Sequence, residues 1–408
     1  MSAPQSDPYA ALSLQPPAKT MEELEARVEA LRNAPPLQKV LPYLEDPAFR
    51  RYLDLRFRHH SRRPGVSPAE YLLSKRQGLA ERLRGKSLIY IDTNHWLKMR
   101  DLELGRLTNV PPEYGRILSR LSALRRSDKV CCPVGAALIT ELMKQTDLET
   151  RRATAALMQR FSGGICLRNW ISVAQEELKQ HALKTLRGAT TPVLVWTKVA
   201  DVMACLDRLV TQAYTDDEAV SAKATTDVVW KCGVQDYAAV PNWIEATTYF
   251  GDAFASESNA EAAVLREQPE GFEKLVRYAK ERQCAALKTE MVEVFASAVP
   301  PSNDAEATTN IDRVLSSFTQ SVDLATLPTL QVLAAVQAAV VMSDRKFRAH
   351  DIVDIEHVAQ ALPYCHVFFC DTPIKNLICG NPLELDRKFG VPVLSTPAEI
   401  LDYLVRER

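Results

Sequence analysis

Ser87-Leu88-Ile89-Tyr90-Ile91-Asp92-Thr93-Asn94 and His366-Val367-Phe368-Phe369-Cys370-Asp371 decide how this chain is read. Each is a short, nearly continuous apolar run rich in β-branched and aromatic residues. That pattern marks a strand buried on both faces of a parallel sheet. Each run ends on an aspartate. In open α/β sheets, ligands bind at the carboxyl ends of the strands. Two carboxylates set side by side there repel each other unless something cationic neutralises them. The first expectation is therefore a divalent cation at that edge.

Two further acids fall on helices. At 100° per residue, Asp351, Asp354, Ile355, Val358 and Leu362 share one stripe, and Glu356 falls on the opposite, solvent-facing side. Glu141 shares a stripe with Leu138 and Leu142. A carboxylate on an apolar stripe is costly unless it is paired, protonated or coordinated. The candidate cluster is thus Asp92, Glu141, Asp354 and Asp371, with Asp351 nearby. Local roles compete with this: an N-cap for Asp351, the helix dipole for Asp354, Lys144 as partner of Glu141, and turn caps for Asp92 and Asp371. His95 and His357 read as bystanders, His357 because it lies off the acidic stripe. An acid cluster without histidine is a hard-cation site, suited to Mg²⁺ or Mn²⁺.

Outward from these motifs the chain divides into five parts. Residues 1–20 are rich in Pro, Ser and Ala and read as disordered. Residues 21–85 form a helical, basic region. Between positions 50 and 86, eleven Lys or Arg face only Asp54, Glu70 and Glu81, with Tyr52, Phe57 and Tyr71 interleaved. This stretch suits phosphates, with Arg58, Arg62, Arg63 and Asn94 as candidate contacts, or else it is a solvated helix pair capping the next domain. Residues 86–180 read as α/β, with strands at 87–91, 129–134 and 164–170. From about 171 to 320 strand signals give way to helical ones, including 197–214 and 271–299, so 181–326 reads as a helical insertion. Residues 327–408 return to α/β with an apolar helix at 327–342, strands at 366–371 and 391–394, and a closing helix at 397–405.

Composition narrows the function classes. The net charge is −1, so bulk charge gives no reason for nucleic acid or membrane binding. No apolar run reaches the ~20 residues of a membrane helix, and no secretory signal is visible. Nine cysteines, none in a CxxC pair and most in apolar company, suggest reduced thiols in a cytoplasm. Cys365, His366, Cys370 and Cys379 lie close together but are not taken as a zinc site, because Cys370 sits in a strand. No GxxxxGK[ST], GxGxxG or Ser-His-Asp order is present. Asn94 stands where a haloacid dehalogenase needs a second aspartate.

The order strand–Asp92–Thr93–Asn94, helix with Glu141, helix with Asp354, strand–Asp371 resembles the PIN-domain nuclease superfamily. The segment from Asp351 through Asp371 resembles its larger bacterial PIN-like members. The likeness covers roughly residues 86–180 and 327–408, and minimal PIN domains lack the long helical section. The resemblance implies a three-layer α/β/α domain with a parallel central sheet, here carrying a helical arm and a large insertion. It implies that Asp92, Glu141, Asp354 and Asp371 bind one or two Mg²⁺ or Mn²⁺ ions, and that the activity is an endoribonuclease, toxin-like or in defence. Nucleic acid is the expected partner, RNA ahead of DNA, with a second copy or an inhibitory protein as further candidates. The alternatives are a non-cutting PIN-like scaffold for nucleic acid or protein and a structure-specific DNA nuclease.

Overall fold

The structure is a computed structural model that describes residues 47–108, 110–190, 192–204, 215–238, 244–267, 271–298, 303–343 and 345–407. The expected disorder at 1–20, and the first part of the basic region up to 46, lie outside the described residues. Helices α1 (Pro47–Ser61) and α2 (Pro68–Leu83) lead into β1 (Ser87–Ile91). A Ser67–Glu70 capping box and Pro68 at the first helical position fix the start of α2. Then come α3 (Thr93–Glu103), α4 (Glu113–Arg126), β2 (Val130–Cys131), α5 (Ala136–Lys144), α6 (Leu148–Ser162), β3 (Ile165–Leu167), α7 (Trp170–Arg187) and β4 (Trp196–Lys198). The helical section holds α8 (Asp216–Val229), α9 (Ile244–Glu267), α10 (Phe272–Ala298) and α11 (Asp304–Gln320). The chain closes with α12 (Pro328–Met342), α13 (Asp351–Tyr364), β5 (Val367–Phe369), α14 (Thr372–Cys379), β6 (Val393–Leu394) and α15 (Pro397–Arg406). Shorter helices stand at Val199–Ala204, Val234–Tyr237 and Leu385–Phe389.

The sheet is parallel with order β2-β1-β5-β6, so the two aspartate-ending strands are neighbours. Tyr90 pairs with Phe368 and Ile91 with Phe369. Leu88 to Ile91 are all buried, so both faces of β1 are covered, because successive side chains point to opposite faces. On one face the Tyr90 hydroxyl reaches His357 and Gln360 of α13. On the other, Phe369 lies edge-on to Tyr403 of α15.

Three expectations about strands need correction. The strand read at 129–134 is regular only over Val130–Cys131, because Pro133 has no N–H for a ladder; Val134 resumes as a lone parallel bridge to Cys166. The strand at 164–170 is only Ile165–Leu167. It pairs antiparallel with β4, which occupies positions read as helix, so the helical section is not free of strands. Thr197 is fully buried there and donates to Asp201.

The helical section is not a separate body. Leu275, Val276, Ile311, Val314 and Phe318 belong to the same continuous core as the sheet residues. The link is α12, buried on nearly every side as its unbroken apolar sequence requires. It packs against α10 of the insertion and against α13, the helix carrying Asp354.

Candidate metal centre

At the carboxyl edge, β1 turns directly into α3 and β5 into α14. Asp92 and Asp371 each take the extended conformation of an N-cap. Their side chains differ. Asp371 caps α14 by accepting from the Ile374 N–H at 3.0 Å. Asp92 makes no capping bond, which leaves its carboxylate for other partners. The Asp92 N–H donates to the Phe369 carbonyl at 2.8 Å, so the two acids stand about one rung apart.

Glu141 approaches from α5. That helix begins at Gly135, where a Cβ would lie 2.7 Å from the Tyr90 hydroxyl and 2.2 Å from Gln360 Oε1. A larger residue would have to displace the Gln360 amide and the Tyr90 hydroxyl, so glycine lets the helix start this close to β1 and α13. Glu141 Oε2 accepts from Thr93 Oγ1 and lies 3.1 Å from His357 Nε2. The same Nε2 is 3.5 Å from Asp92 Oδ1. One ligand atom from each of Asp92, Glu141 and His357 falls within 4.8 Å of the others, a group able to hold a metal ion. The His357 side chain is 2% exposed, those of Asp92 and Glu141 13% and 26%, so solvent reaches the carboxylates and not the imidazole behind them.

The electrostatics follow from one imidazole shared among several acids. Burial, with the charges of Glu141 and Asp371, outweighs His357 and pushes Asp92 up to about 6. Burial, with Asp92, Asp371 and Glu141, pushes Asp354 up to about 7. Burial opposes charge on His357, but its bond to Glu141 and the charges of Asp92, Glu141 and Asp354 prevail and raise it to about 9. Burial would likewise raise Glu141, yet His357 and Thr93 hold it below its ordinary value.

Asp92 and Glu141 are therefore brought together. Asp354 and Asp371 lie outside the 4.8 Å group but close enough to act on its charges. Asp351 is placed elsewhere. It is 2% exposed, paired with Arg345 and accepting from the Arg348 N–H at 2.8 Å, in a second group with His350 and Asp354. Asn94 is exposed in the first turn of α3. His95 is structural: it is buried, 2.7 Å from the Tyr114 hydroxyl and 3.0 Å from the Cys370 carbonyl. Two readings fail. His357 is no bystander: it sits at the centre, one helical turn on from Asp354, and that i,i+3 spacing was the signal available in the sequence. Glu356 is not on a solvent-facing side, being half-buried and accepting from Trp170 Nε1 at 2.9 Å.

The basic region finds its counter-charges far along the chain. Asp227 of α8 takes Lys75 at 2.5 Å, His60 at 2.9 Å, Arg56 at 3.6 Å and the Tyr71 hydroxyl at 2.5 Å. Arg76 pairs with Asp201 at 2.5 Å and Lys86 with Asp128. Arg58, Arg62 and Arg63 remain exposed, and buried Lys223 donates to the Arg63 and Val66 carbonyls, fixing the loop beneath them. Among the described residues, eight cysteines are free thiols and no helix is long and apolar enough to cross a membrane.

No family model, no curated protein and no solved structure matches the chain.

Proposed function

We propose that the chain is a metal-dependent endonuclease that hydrolyses phosphodiester bonds, with RNA as the substrate class, on a PIN-like three-layer α/β/α domain. The observation that carries this reading is the convergence of Asp92, Glu141 and His357 at the carboxyl edge of the parallel sheet, with Asp354 and Asp371 beside them. Two carboxylates and an imidazole are a donor set that fits a divalent cation, and the raised Asp92 and Asp354 carboxyls mark negative charge that the protein alone leaves uncompensated. Asp92 and Glu141 would hold the ion. Bound there, it supplies Lewis acidity toward a phosphodiester and makes a water more acidic. The rest falls to the chain. Thr93 orients Glu141 by donating to it, and Asp354 can take or give a proton near neutral pH. Asp371, tied to α14 as its cap, adds fixed negative charge at the next strand end. Asn94, Arg58, Arg62 and Arg63 are exposed and would contact the substrate's phosphates.

A non-cutting scaffold is the second reading, and one observation favours it: a charged His357 between Asp92 and Glu141 gives the cluster a counter-charge of its own. Incubating the purified chain with end-labelled RNA or DNA, in Mn²⁺, Mg²⁺ or EDTA, separates the two. The nuclease reading expects RNA cleavage that EDTA and Asp92→Asn both abolish. Intact RNA and DNA in every ion would favour the scaffold, and cleavage of DNA alone would change the substrate.

A further inference from the structure

The hydrogen bonds behind His357 run in one direction. Gln360 Nε2 donates to the Arg168 carbonyl at 3.3 Å, which fixes the amide and turns its oxygen toward β1. That oxygen, Gln360 Oε1, accepts from the Tyr90 hydroxyl at 3.4 Å. The Tyr90 oxygen also lies 2.8 Å from His357 Nδ1 and, with its proton turned toward Gln360, accepts from an Nδ1–H. Gln360, Tyr90 and His357 are all buried, at 2%, 0% and 2% exposure, so water does not scramble the order. In that arrangement a neutral ring carries its proton on Nδ1 and turns the Nε2 lone pair toward Asp92 and Glu141. In the charged ring Nε2 carries a proton toward Glu141 and Asp92, at 3.1 and 3.5 Å, and a divalent ion bound there would take that proton's place. Metal-ligating histidines are held in this way, with the second ring nitrogen donating to a fixed acceptor.

We propose that His357 Nε2 is a direct ligand of the divalent ion held by Asp92 and Glu141, and that the site prefers a first-row transition ion to Mg²⁺. The inference rests on the metal-dependent reading above and refines its ligand set. Mg²⁺ takes oxygen ligands and keeps much of its water, whereas imidazole nitrogen suits transition ions. Thr93 holds Glu141 and the Tyr90–Gln360–Arg168 relay holds His357, so two of the three donors are oriented before any ion arrives. Tyr90 is thereby a positioning residue that acts through His357.

The test uses Mn²⁺ as its probe and reads binding rather than cleavage. Pulsed electron paramagnetic resonance of the Mn²⁺-loaded full chain should show coupling to a directly bound nitrogen, lost in His357→Ala and His357→Gln. By calorimetric titration those variants should bind Mn²⁺ at least about tenfold more weakly, with Mg²⁺ binding changed far less. Tyr90→Phe, which keeps the buried ring, should weaken Mn²⁺ by about tenfold, the usual effect of losing an outer-shell partner. Mn²⁺ bound to wild type without nitrogen coupling, or bound as tightly or more tightly by His357→Ala, would overturn the proposal and leave an all-oxygen metal site. Wild type that binds neither ion would sink the metal-dependent reading itself.

Discussion

Two of the places where this molecule draws aspartate away from solvent treat it in opposite ways. In the arm, Asp227 is surrounded by Lys75, Arg56, His60 and the Tyr71 hydroxyl. Burial alone would raise its carboxyl, but these donors hold it below its ordinary value. At the strand ends, Asp92 and Asp354 share one imidazole with Glu141, and both are pushed up, to about 6 and about 7. One carboxylate has more positive charge than it needs and the other group has less. The first arrangement joins α1 and α2 to α8 and is a matter of stability. The second leaves negative charge partly uncompensated, which is where we propose a cation binds.

Substitution should separate the two most sharply. Asp227→Asn leaves the Lys75 ammonium, 19% exposed, without its carboxylate beside buried His60 and half-buried Tyr71, and should cost about 2 kcal/mol or more in urea denaturation at neutral pH. Asp92→Asn, measured without metal, should leave stability within about 1 kcal/mol of wild type or above it, since it removes a repelled charge. Equal losses in the two variants would erase the distinction.

Another buried carboxylate gives an intermediate case. Glu177 of α7 has only neutral donors, the Tyr364 hydroxyl and the Thr329 hydroxyl and N–H, and burial raises it to about 7 despite them. The folded state then keeps a proton that the unfolded chain releases above about 4.5. Stability should fall as pH rises from about 4.5 to about 7, by up to about 1.4 kcal/mol per pH unit, and change no further above that on this account. Glu177→Gln should remove that slope from chemical-denaturation curves, and a slope unchanged by the variant would place its origin elsewhere.

The smallest effect belongs to the exposed charges of the arm. Arg58, Arg62 and Arg63 lie apart from the Asp227 hub, and reversing all three to Glu should spare the fold. If they meet phosphates, the salt dependence of RNA binding should flatten by about 2 log units per log unit of salt, near 0.7 per contact. Binding curves that overlay wild type at low and high salt would return the arm to a purely structural role.

How much of this was legible in the sequence depended on the range of the interaction. The strand-end acids could be read because an apolar run reports a buried parallel strand, and the sheet joins β1 to β5 as neighbours. The β3–β4 pair was missed although Val193-Leu194-Val195-Trp196 is a β-branched and aromatic run leading into β4, because that run was absorbed into a section read as helical. His357 was missed because the stripe was drawn through apolar residues, although i,i+3 from Asp354 is an adjacent position on a helix. The Asp227 hub joins residues more than 150 positions apart, and local charge counting cannot see it: the arm looked unbalanced because its acids lie on α8.

The strand-end cluster, on the proposed reading, is left short of positive charge and takes a metal ion. The most direct test is the melting temperature of the full chain in EDTA and in millimolar Mn²⁺, for wild type and Asp92→Asn. An ion at 100 times its dissociation constant stabilises the state it binds by about 2.7 kcal/mol, which should appear as a clear upward shift in wild type and a much smaller one in the variant. A wild-type melting temperature indifferent to Mn²⁺ would contradict the claim and leave His357 as the only cation the cluster was built to hold.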